Sequence, residues 1–261
     1  MRKILFVFAL ISVVGLCAFL VKPIQSQEKP QVSSLQIDTL IAADSSVAER
    51  LYHQLDLDEK LKYEIFEMAF LGYEQLPVRN RDIITIIDFT LPSTEKRMYV
   101  IDLKNKKLLF HTIVSHGRNS GQKYATSFSN RHGSYQSSLG FYVTENTYQG
   151  GNGYSLVLNG LERGINDQAK ARAVVIHGAD YCSQKIINAT GRLGRSYGCP
   201  ALPRELNKPI IDAIKGGSML FIYADNVDYL ASSHVLKAQE GTRLAQRELS
   251  DVELPGKAIL N

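Results

Sequence analysis

The sequence has few cysteines and little excess charge of either sign. Three cysteines in 261 residues are too few for the disulfide scaffold of a small secreted domain. The formal net charge is +4, and three of these charges, on Arg2, Lys3 and Lys22, lie in the first 26 residues, which contain no acid. Removing these three from +4 leaves a net charge of +1 for residues 27–261. A body so close to neutral lacks the basic face that nucleic acids require, and we expect no nucleic-acid partner.

The one long apolar run lies at the N-terminus. Ile4–Val21 carries no charge and follows two basic residues, which is typical of a signal peptide or a signal anchor. At 18 residues it also reaches the length of a membrane span. Cleavage after Ser26 would leave Ile24 at a position that prefers a small side chain. We predict that residues 1–26 export the chain to the periplasm or cell envelope, either as a cleaved signal or as a membrane anchor.

The remaining composition is that of an ordinary globular protein. Hydrophobic residues make up 44% and charged residues 21%, which excludes a disordered chain, a coiled coil and a polytopic membrane protein. The length allows one large domain or two small ones. We interpret residues 27–44 as a linker. We predict no structure for the polar C-terminal segment, residues 225–261.

Helical patterns are confined to two regions. A capping box and apolar residues at helical spacing predict a helical hairpin over residues 45–77. Its second helix is expected over Asp58–Leu71, with Gly72 as its C-cap. A further helix is predicted over Lys208–Lys215, with Pro209 in its first turn.

Between these helices the chain is rich in short β-branched and aromatic runs. Most of them are separated by clusters of glycine, asparagine and serine, which is typical of strands and turns. Because few helices lie between the runs, we expect a mainly-β domain, a mixed sandwich or barrel, over residues 78–224 rather than a doubly wound sheet. The predicted strands are Ile83–Thr90, Met98–Leu103, Leu108–Val114, Leu139–Thr144, Ser155–Asn159, Ala173–Ile176 and Met219–Tyr223.

The strongest chemical signal is a lone cysteine in the glycine-rich, basic loop Gly191–Pro200. Arg192 and Arg195 in this loop are expected to favour the thiolate form of Cys199. Upstream, a buried-looking strand ends at His177, which suits a general base. A cysteine and a histidine that are distant in sequence but close in space are what thiol acyl transfer requires.

Other interpretations of the same residues stay open. Cys199 could be an inert buried thiol. A disulfide between Cys182 and Cys199 is chemically allowed in an oxidising envelope and would block the nucleophile. A zinc site built from His177, Asp180 and the two cysteines has suitable ligands but lacks the usual paired spacings. His116, in a second glycine loop, is as suited to line a pocket as to catalyse.

These motifs resemble the L,D-transpeptidase catalytic domain (YkuD-like). In that family a His-Gly pair follows a strand, as His177-Gly178 does here, and a Ser-His-Gly-Cys loop follows later. The loop Ser196-Tyr197-Gly198-Cys199-Pro200 is closer to a variant branch, in which an aromatic residue replaces the second histidine and proline follows the cysteine. The resemblance spans Val78–Ala224. Its further matching segments are Pro92–Arg97, Ser115–Gly117, Phe128–Arg131, Ser137–Tyr142 and His177–Tyr181.

The resemblance implies a mixed β-sandwich and a peptidoglycan substrate. Cys199 would attack the bond between the diamino acid and D-Ala of a stem tetrapeptide, and the acyl group would pass to an amine on a second stem. His177 would take the thiol proton, and the Gly178 carbonyl would orient the imidazole. The N–H groups of Gly198 and Cys199 would form an oxyanion hole. The resemblance implies no metal or organic cofactor. It does imply that a carbapenem acylates the protein.

Two departures from the family pattern affect substrate recognition. Tyr197 stands in the position of the second histidine. Pro200 and Ala201 replace the segment that brings an arginine two residues after the cysteine, so carboxylate recognition is expected to fall to an upstream arginine. The candidate substrate-binding residues are Arg192, Arg195, Ser196, Tyr197 and His116.

The acceptor of the acyl group stays open. With water as acceptor, the same residues would make an L,D-carboxypeptidase or a cross-link hydrolase. An alternative outside the enzymes is a non-catalytic cell-wall-binding module, which has no use for a His–Cys pair.

Overall fold

One mixed sheet of eight strands forms the centre of the fold. The computed structural model describes residues 47–238, so the predicted export segment and linker lie outside the described residues. In chain order the strands are β1 (Ile83–Asp88), β2 (Met98–Asp102), β3 (Lys107–Thr112), β4 (Gly140–Gly150), β5 (Gly153–Gly160), β6 (Val175–Gly178), β7 (Ala201–Leu202) and β8 (Met219–Tyr223). Their order across the sheet is β3-β2-β1-β8-β4-β5-β6-β7. The β1–β8 and β6–β7 pairs are parallel and the other neighbours antiparallel, which confirms the predicted mainly-β, mixed architecture.

The two neighbouring parallel strands β1 and β8 are buried along their whole length. Every residue of Ile83–Asp88 and of Met219–Tyr223 is buried. A strand that is covered on both faces has no polar side, so its sequence is a continuous apolar run rather than an alternation. Both strands are therefore recognisable in the sequence.

Six of the seven predicted strands differ from the structure in their bounds, and two of these differences have a clear physical reason. The strand expected over Leu139–Thr144 continues to Gly150 and forms a long hairpin with β5. The added residues are mostly polar and exposed, so no hydrophobic pattern marks them. The strand expected over Ala173–Ile176 begins at Val175, because Ala173 has a left-handed φ of 56° that extended strands do not adopt.

Short helices accompany the sheet. They are α1 (residues 47–54), α2 (Tyr63–Gln75), α3 (Gln184–Thr190), α4 (Arg204–Ile214) and α5 (Val227–Ser232), and residues 234–238 are also helical. The helix predicted over Asp58–Leu71 begins later and continues past Gly72, which is therefore not its C-cap. The helix predicted over Lys208–Lys215 begins about one turn earlier, with Pro209 inside it. The sequence pattern does not predict α3, which buries only Ile187.

The chain after the last strand is attached to the sheet by one buried carboxyl group. Glu162 is fully buried, and it accepts hydrogen bonds from Ser233 Oγ at 2.5 Å, from the Phe141 N–H at 2.9 Å and from the Tyr229 hydroxyl at 3.3 Å. These bonds hold α5 and the turn after it against β4. The expectation that residues 225–261 have no structure is therefore wrong for the part that the structure describes.

The predicted helical hairpin shares its core with the sheet. Phe66 of α2 belongs to the same buried cluster as Phe141 and Phe221 of the sheet. No separate core marks a boundary near residue 77, so the division between residues 45–77 and 78–224 stays a prediction.

Among residues 47–238, no helix is long and apolar enough to cross a membrane. The predicted signal peptide or anchor lies outside this range.

Gly72 provides a test of how tightly α2 packs on the sheet. A Cβ at Gly72 would lie 2.2 Å from Cε1 of Phe141, whose ring stacks on Phe221 with centroids 4.2 Å apart. Gly72→Ala gains about 1 kcal/mol in helix propensity, but we expect a net loss of about 1–3 kcal/mol in the free energy of unfolding because the core is overpacked. Urea unfolding measures the difference.

Gly151→Ala is the matched control, because a Cβ there meets nothing within 4 Å. It should leave the free energy of unfolding unchanged or slightly raised. A Gly72→Ala protein as stable as the wild type would contradict the close approach of α2 and β4.

Candidate active site

The two residues expected to carry the chemistry lie at the ends of neighbouring strands. β7 begins shortly after Cys199 and pairs in parallel with β6, with His177 opposite Ala201. Because of this register, Cys199 lies close to the strand that carries His177. Both residues line a cleft of about 530 Å³. The other lining residues are Arg118, Asn152, Tyr181, Arg192, Gly194, Arg195, Ser196 and Tyr197.

The Cys199 thiol is held by the backbone that leads into β6. Its Sγ accepts a hydrogen bond from the Val175 N–H at 3.4 Å and donates to the Ala173 carbonyl at 3.7 Å. The left-handed Ala173 therefore belongs to the surroundings of the nucleophile. Strand patterns give no indication of this role, because Ala173 looks like the first residue of an apolar strand.

One cation, Arg172, lies behind the turn that carries the cysteine. A Cβ on Gly198 would lie 3.4 Å from Arg172 Nη2. The guanidinium is fixed by the Gln136 carbonyl at 2.7 Å, the Ser138 hydroxyl at 2.6 Å and the Ser129 carbonyl at 2.8 Å. It is therefore a positioned charge rather than a mobile one.

The Cys199 thiol is protonated at neutral pH. Burial raises its pKa above the ordinary value, while the Val175 N–H and the charge of Arg172 act in the opposite direction. The expectation that Arg192 and Arg195 favour the thiolate has no support, because neither is among the groups that shift the pKa of this thiol. The cation that acts on this thiol is Arg172, which sequence analysis does not single out.

His177 is held as a neutral imidazole. Its Nδ1 lies 3.1 Å from the Gly178 carbonyl oxygen, which can only accept, so Nδ1 carries the proton and Nε2 a lone pair. Burial lowers the pKa of His177, and the charge of Arg204 acts in the same direction, although the Gly178 carbonyl opposes both. A neutral imidazole is the form that a general base requires. The contact expected for Gly178 is present, and the catalytic roles stay predictions.

Ser196 closes the turn that presents Cys199. Its hydroxyl accepts a hydrogen bond from the Gly198 N–H at 3.0 Å and donates to the Cys199 carbonyl at 2.6 Å. Gly198 has a φ of 122°, and a Cβ there would lie 2.7 Å from the Gln136 carbonyl oxygen, so only glycine fits. The hydroxyl is thus used inside the loop, and a substrate-binding role for Ser196 is not supported.

The same contacts revise the expected oxyanion hole. The Gly198 N–H already has an acceptor in Ser196, which argues against this half of the prediction. The Cys199 N–H has no hydrogen-bond acceptor among residues 47–238. It therefore remains a free donor next to the nucleophile.

His116 lies beneath the site rather than in it. It is fully buried, with Nδ1 2.8 Å from Arg97 Nη2 and Nε2 3.3 Å from the Gly121 carbonyl. Burial and the neighbouring Arg97 lower the pKa of His116 to about 3, so it is neutral and accepts through Nδ1. Its carbonyl accepts the Ser196 N–H at 3.0 Å. The geometry therefore does not support the expectation that His116 binds substrate, because the residue lies beneath the loop that carries Cys199 and supports it.

The cleft is basic, because three arginines and no acid line it. Arg192 donates through Nη1 to the Leu193 carbonyl at 2.7 Å. Arg195 donates through Nη1 to the carbonyls of Arg118 and Gly121 at 2.8 and 3.0 Å. Tyr197 lies at the rim and is 66% exposed. Arg118 is the third arginine, and its place two residues after the glycine-loop histidine His116 is the available sequence signal.

The alternative roles for the second cysteine have no support in the geometry. Cys182 is a free thiol packed with Ile187 and Leu193, and burial raises its pKa to about 12. Cys199 is also a free thiol, so the two form no disulfide. Within the described part of the chain, no three histidine, cysteine, aspartate or glutamate residues are grouped so that they could hold a metal.

A family model described as "L,D-transpeptidase catalytic domain" matches residues 57–223, more than half of the chain. The match begins before α2 and ends with β8, so it includes every element that forms the cleft. A comparison with curated proteins finds no match.

Several solved structures are similar to this chain. One is an L,D-transpeptidase from Mycobacterium smegmatis, with 12% identity, coverage of 55% of this chain and 59% of that chain, and a TM-score of 0.34. The helical cell shape determining protein Pgp2 (K307A mutant) from Campylobacter jejuni has 15% identity, 69% and 62% coverage and a TM-score of 0.38. L,D-transpeptidase 3 from Mycobacterium tuberculosis, in complex with a faropenem-derived adduct, has 13% identity, 55% and 60% coverage and a TM-score of 0.32. The chain spans less than two thirds of the length of each, and TM-scores this low carry no argument beside the family match.

The charge state of Cys199 can be tested by alkylation against pH in a background that carries both Cys17→Ala and Cys182→Ala. We expect a midpoint above that of free cysteine, because burial outweighs the effects that favour the thiolate. Arg172→Gln should raise the midpoint further, because it removes the positive charge behind the turn. Arg195→Gln, which removes a cation at the rim, should leave it unchanged. A wild-type midpoint below that of free cysteine, or equal shifts in both variants, would contradict this assignment.

Proposed function

Because the chain belongs to the L,D-transpeptidase catalytic domain family, we propose that it is a peptidoglycan L,D-transpeptidase acting through a Cys199 acyl-enzyme in the periplasm or cell envelope. The observation that carries the proposal is the cleft itself. It contains Cys199 and His177 together with three arginines and no acid. A basic cleft suits a stem peptide, which carries carboxylates on the diamino acid and on the terminal D-Ala.

In the first half-reaction, His177 Nε2 takes the thiol proton as Sγ attacks the carbonyl carbon between the diamino acid and D-Ala. The Cys199 N–H then donates a hydrogen bond to the oxyanion that forms. The C–N bond then breaks, and the protonated imidazole gives its proton to the leaving amine of D-Ala. The product is a thioester on Cys199.

In the second half-reaction, an amine of another stem attacks the thioester. His177 takes the proton of that amine and returns it to sulfur as the C–S bond breaks. One peptide bond is broken and one is made, so no ATP is required. The free acceptor amine is the feature that separates transfer from hydrolysis on the same machinery.

The neutral state of both groups fits this sequence of steps. Burial raises the pKa of Cys199 and lowers the pKa of His177, so a thiol and an imidazole, rather than an ion pair, form the resting site. Proton transfer then accompanies the attack, as in general-base catalysis. The rate should rise as His177 loses its proton, with an acid limb below the ordinary histidine pKa.

The proposal is tested by incubating the protein with a stem tetrapeptide, with and without an amine acceptor. We expect release of D-Ala, a covalent adduct in the intact-protein mass, and a cross-linked product when the acceptor is present. Cys199→Ala should lose at least about 1,000-fold in D-Ala release, because the nucleophile is gone. A carbapenem should add once to the wild type and not to this variant.

Cys182→Ala is the matched control, since Cys182 is buried away from the cleft, and it should keep most of the activity. D-Ala release without any cross-linked product would replace the transferase by an L,D-carboxypeptidase or a cross-link hydrolase. Binding of peptidoglycan with no D-Ala release and no adduct would instead support a non-catalytic wall-binding module.

A further inference from the structure

Arg118 has the most distinctive surroundings of the three arginines in the cleft. Its guanidinium lies over the rings of Tyr135 and Tyr197, 5.5 Å from each centroid. The two rings are themselves in contact, with centroids 4.8 Å apart. Cation–π contacts of this kind orient the guanidinium plane without using its N–H groups.

The backbone of Arg118 is tied to the catalytic loop. Its N–H donates to the Ser196 carbonyl at 2.7 Å, and its carbonyl accepts Arg195 Nη1 at 2.8 Å. The position of this residue relative to Cys199 is therefore fixed through Ser196, whose hydroxyl also closes the turn. The backbone position from which the Arg118 side chain extends into the cleft is therefore defined.

The N–H groups of the Arg118 side chain are free to bind a ligand. Within residues 47–238 they make no hydrogen bond, and the side chain forms no ion pair. Arg192 and Arg195 differ, because each already gives Nη1 to a backbone carbonyl. A guanidinium that contacts two aromatic rings, keeps its N–H groups free and forms no ion pair is suited to bind a carboxylate through two parallel hydrogen bonds.

We propose that Arg118, held against Tyr135 and Tyr197, is the carboxylate-binding residue of the cleft. The inference rests on the proposed function and names the substrate group that this residue recognises. It also gives Tyr197 a role, which is to hold the arginine rather than to move protons. Two groups of the stem tetrapeptide offer this chemistry, the second carboxylate of the diamino acid and the terminal carboxylate of D-Ala.

Binding is measured on the Cys199→Ala background, which cannot turn over. The ligands are the stem tetrapeptide and two analogues, each with one of the two carboxylates converted to an amide. We expect one of the amides to bind at least tenfold more weakly than the parent peptide. Arg118→Lys should weaken binding of the parent about as much, because it keeps the charge and loses the planar fork.

The decisive result is non-additivity. Arg118→Lys should not weaken binding any further for the amide that has lost the recognised carboxylate. For the other amide it should weaken binding by the same factor as for the parent peptide. Tyr197→Leu should weaken binding of the parent by a smaller factor, and Tyr197→Phe should restore it. Arg163→Lys, at an exposed arginine outside the cleft lining, is the matched control and should bind all three ligands like the parent background.

The inference is overturned if Arg118→Lys binds the tetrapeptide as the parent background does, if it loses the same factor with all three ligands, or if no tetrapeptide binding is found at all. D-Ala release by the wild type is measured separately. Binding with the expected pattern but without D-Ala release would support the carboxylate site at Arg118 and refute the proposed transpeptidase reaction.

Discussion

The site depends on a buried arginine that has no acidic partner among the described residues. Arg97 is fully buried. Its guanidinium donates to the carbonyls of Val114 and Leu91, at 2.8–3.1 Å, and to His116 Nδ1 at 2.8 Å. The ring of Phe89 covers it at 4.7 Å. Burial lowers the pKa of Arg97 to about 9, so it is still charged at neutral pH. A charge in this position is tolerated only because every edge of the guanidinium is satisfied.

From Arg97 a series of hydrogen-bonded residues leads to Cys199, the proposed nucleophile. The guanidinium sets the tautomer of His116 by requiring an acceptor at Nδ1. The carbonyl of His116 holds the Ser196 N–H, and the Ser196 hydroxyl holds both Gly198 and the Cys199 carbonyl. Leaving any one of these buried groups unsatisfied costs about 1–3 kcal/mol. The line therefore explains how a loop rich in glycine keeps one conformation around a reactive thiol.

Local patterns predict most of the strands and the Cys199–His177 pair, because each strand, and the motif around each of the two residues, is marked by residues adjacent in the sequence. They fail where a role depends on partners distant in sequence. Arg97 and His116 are 19 positions apart, and the acceptors that fix Arg172 lie 34–43 positions away. No pattern distinguishes a buried arginine that organises loops from an exposed one. The polar outer half of β4 and the helices after β8 were missed for a related reason, because tertiary contacts rather than hydrophobic periodicity hold them.

The positions of the cations follow from the charge of the proposed substrate. A preformed thiolate in an oxidising envelope is open to oxidation, because oxidants attack the thiolate and not the thiol. Burial favours the protonated thiol of Cys199 and the neutral imidazole of His177, and in the proposed reaction His177 takes the thiol proton only during attack. A stem peptide, however, brings carboxylates into the same cleft, and their charge would raise the thiol pKa further. Three arginines line the cleft, and the proposed carboxylate site at Arg118 would neutralise such a charge where it binds. Among the described residues, Arg172 is the cation that lowers the pKa of Cys199. The separation of these two sets of cations would let the site bind an anionic substrate without holding a thiolate at rest.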